Sequence, residues 1–168
     1  TNAYLYTGDK KYRDWVLNYV DAWIDRTKTN NGIIPDNIGP TGKIGEHRGG
    51  QWWGGLKGWA SDKGASNLLI SVAIAAETAQ LLTGDEGYLE LLRSQLNILI
   101  ERGATDKSGQ FLVPMRHGPK GWNNYEPLKI YELAHLYHGS MSKVDYQTFI
   151  GLRDGDPDKN WNSIESQR

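Results

Sequence analysis

One short motif occurs twice in this chain and divides it into helical units. Thr-Gly-Asp occupies residues 7–9 and is followed by Tyr12, and the same tripeptide at 83–85 is followed by Tyr88. Glycine suits the left-handed position that ends a helix, and aspartate suits the N-cap of the next helix. Each motif therefore predicts a tight turn between two helices, and the repetition indicates stacked units of one kind.

The spacing of apolar residues around these turns predicts two kinds of helix. From Asp9 to about Lys28, and again from Asp85 to Arg102, apolar residues recur at steps of three and four with polar residues opposite them. Such helices bury one stripe and lie on the outside of a fold. Between them, a helix that begins at Ser66 or Asn67 and runs through Leu82 is apolar nearly all round. We predict that this helix is an inner one, buried on every side.

Shorter helices and an irregular tail complete the predicted elements. The residues before Thr7 resemble the end of a helix, and Pro127 at a first-turn position predicts another helix to about His138. Ser142, with Asp145 three residues later, resembles a capping box and predicts a last helix. Residues 154–168 are polar and aperiodic, so we predict a single domain over 1–168 with an irregular tail at 154–168.

The most unusual segment is the long connection from Thr29 to Ala65. Its central part, Glu46–Trp59, holds three of the seven Trp and five Gly, which fit neither a stable helix nor an alternating strand. Long loops that carry aromatic and ionisable side chains are common places for binding or catalysis. A second long loop, Gly103–Tyr125, is expected on the same side of the molecule. The alternative interpretation is that the three Trp only close the end of a helical core.

The order of inner helix, short turn, outer helix and long loop resembles the (α/α) toroids of six-hairpin glycosidases, uronyl hydrolases, sugar epimerases and toroid polysaccharide lyases. The resemblance rests on the Thr-Gly-Asp-x-x-Tyr turn motif and on helical periodicity over nearly the whole chain. It implies an all-α fold of helical hairpins, with the long loops on one rim. A full toroid needs about twelve helices, on the order of 300 residues. We therefore expect a piece of a larger toroid, completed by the rest of a longer chain or by another copy.

This resemblance implies a carbohydrate-active protein, in the first place a glycoside hydrolase. Glycosidases place two carboxylates beside the scissile bond, and the long loop offers Asp36 and Glu46. We predict these acids and His47 as catalytic residues, with His47 donating to a sugar hydroxyl or carboxylate. The alternative interpretations are that Asp36 caps a turn and that Glu46 only pairs with Arg48.

Two other functions stay open on the same scaffold. In a polysaccharide lyase, Tyr125, His117 or His47 would be the base, and Arg48 and Arg116 would neutralise a uronate carboxylate. In a non-catalytic glycan-binding or structural helical domain, Trp side chains stack on sugars but no acid is poised. We interpret His135 and His138, on a predicted helix, as structural. The predicted substrate-binding residues are Arg48, Trp52, Trp53, Trp59, Arg116, His117, Trp122 and Tyr125.

The composition argues against several kinds of partner. The net charge is -1 at pH 7 and the basic residues are scattered, which gives nucleic-acid binding little support. The chain has no Cys, so disulfides and zinc-thiolate sites are excluded. We expect no membrane contact, no cofactor and no resident metal, and a carbohydrate as the partner. A polymer substrate would favour an extracellular or periplasmic location.

One acidic pattern near the end of the chain weakly resembles a calcium loop. Asp154, Asp156, Asp158 and Glu165 occupy its first, third, fifth and twelfth positions. Lys159 stands at the sixth position, where that loop requires Gly. A solvated acidic turn is therefore the simpler interpretation.

Overall fold

Helices and one small sheet make up the fold. The computed structural model describes residues 1–128 and 130–154. A short 3₁₀ helix, Glu86–Leu89, precedes α4. The α-helices and strands in chain order are α1 Asn2–Thr7, α2 Lys10–Thr29, α3 Gly64–Thr83, α4 Glu90–Glu101, β1 Ala104–Thr105, β2 Phe111–Gly118, β3 Gly121–Glu126, α5 Ile130–Ser140 and α6 Lys143–Asp154.

The prediction of an all-α fold is wrong, because the segment expected to be a second long loop forms an antiparallel sheet. Its three strands lie in the order β1-β2-β3, and β2 and β3 make a regular hairpin. Pro114 conceals this strand in the sequence, because proline is uncommon inside a central strand. Strand β1 pairs with β2 only as far as Leu112, so no β1 residue lies opposite Pro114. The fold is therefore mixed α and β.

Both predicted Thr-Gly-Asp turns are confirmed. Gly8 and Gly84 adopt the left-handed conformation, with φ of 70° and 75°. The Asp9 carboxylate accepts from the backbone N–H of Lys11 at 3.0 Å, and the Asp85 carboxylate accepts from that of Gly87 at 2.8 Å. The same pairing of glycine and aspartate therefore produces the same turn twice.

Helix α3 is central to the fold. The prediction that it is buried on every side is wrong. Its buried face contacts α2, α4, α5 and β2. The opposite face carries apolar residues in solvent, with Ile74 62% and Leu81 72% exposed. By length and composition α3 is also apolar enough to cross a membrane. A core helix passes the same test, and the packed face of α3 is that of a core helix.

A buried glutamine attaches the beginning of the long loop to α4. The Gln95 side-chain oxygen accepts from the backbone N–H of Ile34 at 2.8 Å, and its nitrogen donates to the Gly32 carbonyl at 2.7 Å. Gln95 is fully buried among the leucines of α4. Because both polar ends of the amide are paired, it can occupy the core at little cost. The start of the loop, just after α2, is therefore fixed to α4.

Helix α6 is attached to the rest of the fold by a partly buried ion pair. The Arg93 guanidinium donates Nε to Asp145 Oδ1 at 2.9 Å and Nη2 to Oδ2 at 2.7 Å. Ser140 Oγ donates to Asp145 Oδ2 at 2.6 Å. Burial would raise the pKa of Asp145, but the hydrogen bonds from Arg93 and Ser140 outweigh burial and hold this pKa below its ordinary value. Asp145 is therefore ionised at neutral pH.

Candidate functional site

The Asp36 carboxylate organises the Trp-rich loop. Oδ1 accepts from the backbone N–H of Gly55 at 2.9 Å, and Oδ2 accepts a short hydrogen bond from that of Trp59. A side chain at Gly58 would overlap the carboxylate, so glycine permits this close approach. The backbone of Asp36 also donates to the Trp52 carbonyl at 2.9 Å. One side chain therefore gathers the loop around itself through partners 19 and 23 residues later, which differs from the local turn cap of the alternative interpretation.

Asp36 also lines an open cavity between α2 and α3. The cavity has a volume of about 250 Å³, and Tyr19, Trp23 and Leu56 are among its lining residues. Burial raises the pKa of Asp36, while the backbone donors of Gly55 and Trp59 and the nearby His117 lower it in part. The net shift is upward, so Asp36 holds a proton at a higher pH than an ordinary aspartate does. A carboxyl group with a raised pKa beside a cavity is a common feature of active sites.

Trp59 connects the loop to the β-hairpin. Its ring is fully buried, and Nε1 donates to the Ile34 carbonyl at 2.7 Å. Its own carbonyl accepts from the backbone N–H of His117, in β2, at 3.0 Å. Trp59 is therefore a core residue. For this one Trp, the alternative interpretation that the three Trp close the end of a core is correct.

Four Trp and one His meet at the place where the loop touches the hairpin; we call this group the Trp–His cluster. The ring centroids of Trp52 and His117 are 4.6 Å apart, and those of His117 and Trp122 are 4.9 Å apart. Trp53 lies 5.5 Å from His117, and Trp59 lies 5.2 Å from Trp122. Trp52, Trp53 and Trp122 are only partly buried. The cluster therefore has a buried base and a partly exposed aromatic rim.

His117 is neutral at the centre of this cluster. Burial lowers its pKa, Asp36 acts in the opposite direction, and the cationic Arg102 lowers it further. The Arg102 guanidinium lies over the Trp122 ring, 5.5 Å from its centroid. Nδ1 of His117 is buried and has no hydrogen-bond partner among the residues that the structure describes. A buried nitrogen in this state has capacity for a further hydrogen bond.

A second cavity lies beside the turn between β2 and β3. Its volume is about 360 Å³. Arg116 Nη2 donates to the Ala60 carbonyl at 2.8 Å, and Nη1 lies 3.3 Å from Asp62 Oδ1. The Asp62 side chain is 97% exposed. The lining residues are Ala60, Arg116, His117, Gly118, Pro119, Lys120 and Asn123; we call this space the hairpin cavity.

The tip of the long loop holds three further predicted residues. Glu46 folds back into the loop, where Oε2 accepts from the backbone N–H of Thr41 at 3.0 Å. Its Oε1 lies 3.8 Å from His47 Nε2, and the Glu46 side chain is 14% exposed against 79% for His47. Arg48 is exposed. The predicted acid Glu46 therefore supports the loop and pairs with His47, not with Arg48 as the alternative interpretation proposed.

The structure thus brings together some of the predicted site residues and separates others. Tyr125 lies on the exposed strand β3, paired with Pro114 and outside the Trp–His cluster. Sequence reasoning missed Lys120, which joins the site only because the second loop is a hairpin. The predicted residues at the contact of loop and hairpin are Asp36, Trp52, Trp53, Trp59, Arg116, His117 and Trp122.

The described part of the chain shows no group of three or more His, Asp or Glu that can hold a metal ion. Of the suggested calcium residues, Asp156, Asp158 and Glu165 lie outside the described residues, and Asp154 is described only by its backbone in α6. The calcium pattern therefore stays a prediction.

The fold and site define a mixed α and β domain in which a Trp-rich loop packs against a β-hairpin. Residues 1–112 match the profile of a protein family described as Domain of unknown function (DUF8034). The match covers well over half of the 168 residues, and the chain belongs to this family. No curated protein and no solved structure matches the chain. The resemblance to (α/α) toroids therefore stays a prediction.

Proposed function

We propose that this chain is a carbohydrate-binding domain and that the Trp–His cluster is the surface on which a sugar stacks. The observation that carries the proposal is the convergence of Trp52 and Trp53 from the loop and Trp122 from the hairpin around His117. Indole rings offer a flat apolar face together with an N–H donor, which suits the apolar and polar faces of a pyranose. Three of these rings pack against the core and are still partly exposed, so each keeps ring surface open to a ligand.

The position of the cluster supports the same proposal. It lies where the loop meets strands β2 and β3, and the loop is held by the buried ring of Trp59 and by the Asp36 carboxylate. Preorganised aromatic side chains bind with a small loss of conformational entropy, because the rings are already fixed in place. Recognition of a sugar by such a surface needs no movement of the helices.

We expect Trp53→Ala to weaken glycan binding by about tenfold or more, which corresponds to roughly 1.4 kcal/mol. Trp53 contacts His117 at the rim of the cluster, so its removal deletes stacking area while Trp59 stays in the core. The measurement is titration calorimetry with soluble polysaccharides and their oligosaccharides. The panel includes neutral and acidic polymers, because the identity of the bound sugar depends on contacts outside the cluster.

The matched control is Trp15→Ala, because Trp15 lies on α2, outside the cluster, and is 69% exposed. We expect this variant to bind as the wild type does. If Trp53→Ala and Trp15→Ala lose the same glycan affinity, any exposed Trp supports binding. The cluster is then not the binding surface. A wild-type chain that binds none of the panel contradicts the proposed function.

A second candidate function, glycoside hydrolysis, is favoured by one observation. Asp36 combines a raised pKa with a place in the wall of the cavity between α2 and α3. A protonated carboxyl can donate its proton to the glycosidic oxygen as the bond to the anomeric carbon breaks, and water then attacks that carbon. Glu46, the other predicted acid, lies at the loop tip and is not among the described residues that line this cavity. Asp36 is therefore the acid that this hypothesis depends on.

For hydrolysis, we expect Asp36→Asn to reduce the release of reducing ends by about 10²-fold or more, the usual contribution of a general acid. Glu46→Gln is the matched control and should retain most of the activity. Glycan affinity and thermal unfolding of both variants are measured in parallel, which separates lost chemistry from a lost fold. Ultraviolet absorbance in the same reactions detects the unsaturated product of a lyase. If the wild type releases no reducing ends from any glycan it binds, the hydrolase hypothesis fails and binding remains.

A further inference from the structure

We propose that the cavity between α2 and α3 binds a small organic amine, with its ammonium group on the Asp36 carboxylate and its apolar body against the cavity wall. None of the described residues that line this cavity belongs to the Trp–His cluster, so the inference does not depend on glycan binding. It also differs from the hydrolase hypothesis, in which Asp36 acts while it holds a proton.

The wall of the cavity is largely apolar and comes from four segments of the fold. Helix α2 contributes Tyr19 and Trp23, α3 contributes Val72, and α4 contributes Leu91. Leu56 lines the cavity from the Trp-rich loop, although it is 93% exposed. A ligand with an apolar body removes such surface from water, which favours binding. The volume of about 250 Å³ lies just below the range of roughly 300–1,000 Å³ usual for ligand sites, so the ligand is small.

Asp36 gives this apolar space one specific polar group. It is the one acid among the described residues that line the cavity. Its oxygens accept from the backbone N–H groups of Gly55 and Trp59, and Gly54 is a third backbone donor. An ionised carboxylate has about four positions at which it can accept a hydrogen bond. Three backbone donors therefore leave capacity for a donor that enters the cavity.

The negative charge of Asp36 also lacks a cationic partner. No Lys or Arg forms an ion pair with it among the described residues. Burial raises its pKa, because a carboxylate that is partly removed from water loses hydration. Lys57 is the one Lys or Arg among the described lining residues, and it is exposed.

An ammonium group would supply the missing charge, whereas an anion would be repelled. The opposite charge of an ammonium favours the ionised carboxylate. Tyr19 and Trp23 add to this preference, because the faces of aromatic rings attract cations. A neutral ligand of the same shape would gain only the apolar contacts. Charge and shape together therefore favour an amine with an apolar body.

The test compares ligands of the same shape with and without a positive charge. 2-Phenylethylamine, 2-cyclohexylethylamine and hexylamine are each paired with the corresponding alcohol. Affinities are measured by NMR titration at low salt and about pH 8, where alkylamines are protonated and carboxyl groups are ionised. We expect at least one amine to bind about tenfold or more tightly than its alcohol. The indole N–H resonance of Trp23 should shift, and that of Trp122, outside the cavity, should not.

Two variants of α3 locate the site. Ser71 is exposed and lines the cavity, so Ser71→Phe places a ring in its space and should weaken amine binding about tenfold or more. Ile74 is 62% exposed and is not among the described lining residues. Ile74→Phe is therefore the matched control and should bind amines as the wild type does. Thermal unfolding shows whether each variant is folded.

Three results would overturn the amine site. They are equal affinity for amine and alcohol in every pair, undiminished binding in a folded Ser71→Phe, and shifts at Trp122 without shifts at Trp23. If Ser71→Phe does not fold, the Trp23 resonance decides the location. Glycan titrations contain no amine, so failure of the amine site leaves the proposed function unaffected.

Discussion

Replacing Trp59 by alanine is expected to lower the free energy of unfolding by about 3–5 kcal/mol, the usual cost of deleting a large buried aromatic side chain. The ring is fully buried and contacts Trp52 and Trp122. The substitution also removes the donor to the Ile34 carbonyl, which is itself in the core. Urea denaturation followed by circular dichroism measures the loss.

Two further variants show which part of Trp59 matters. Trp59→Phe keeps an aromatic ring but leaves the Ile34 carbonyl without its donor, and should cost about 1–3 kcal/mol. Trp15→Ala removes a ring that is 69% exposed and should cost less than about 1 kcal/mol. If Trp59→Ala were no more costly than Trp15→Ala, the loop would not be anchored through Trp59.

The second large effect is expected at the ion pair that holds α6. Arg93→Leu removes both charged donors from Asp145, whose side chain is nearly fully buried. Removing one partner of a buried pair leaves an uncompensated charge, so we expect a loss of about 2–4 kcal/mol at neutral pH. The loss should be visible in urea unfolding midpoints.

The pH dependence of this loss has a defined sign. In the wild type the pKa of Asp145 lies below its ordinary value of 3.8, so its contribution is present above that pH and is lost as the pH falls through the folded-state pKa. Without Arg93, only the Ser140 hydrogen bond opposes burial, so we expect the pKa of Asp145 to rise above its ordinary value. Its contribution is then present below pH 3.8 and is lost as the pH rises through the new pKa. The stability difference between wild type and Arg93→Leu should therefore grow from acidic to neutral pH.

A double variant and a surface variant complete this experiment. In Arg93→Leu/Asp145→Leu both charges of this pair are removed, and most of the stability should return. Arg13→Leu breaks an exposed pair with Asp14 and should cost less than about 1 kcal/mol. A difference between wild type and Arg93→Leu that does not change with pH would show that Asp145 does not titrate as its surroundings imply.

The sequence was informative wherever a local rule decides the structure. Gly8 and Gly84 end their helices because glycine adopts a left-handed backbone at little cost, and Asp9 and Asp85 begin the next helices through hydrogen bonds within a few residues. Ser142 likewise accepts from the N–H of Val144 at the start of α6. These interactions form within one turn, so they can be predicted from the sequence without knowledge of the fold.

The hairpin was not predicted because its pairing depends on neighbours that the sequence does not show. Pro114 argues against a central strand, and it is tolerated where β1 has already ended. The exposure of Ile74 and Leu81 was missed for a related reason. An apolar helix indicates burial in general, but which faces are covered depends on how many elements pack around it.

The candidate site was predictable in its aromatic part and less so in its charged part. The Trp of the loop and the residues of the second connection do meet, as expected of two connections on one side of the molecule. The orientation of Glu46 toward Thr41 is set by the loop backbone, and the raised pKa of Asp36 comes from burial. Both are properties of the folded chain and have no signature in residue order.

The backbone hydrogen bonds of Trp59 also affect how the site unfolds. Its N–H is held by Asp36 in the loop, and its carbonyl holds the N–H of His117 in the hairpin. Neither segment can open without breaking a hydrogen bond that the other needs, so loop and hairpin form one cooperative unit. Partial unfolding would therefore remove the aromatic surface as a whole, and the chain would present either the complete surface or none of it.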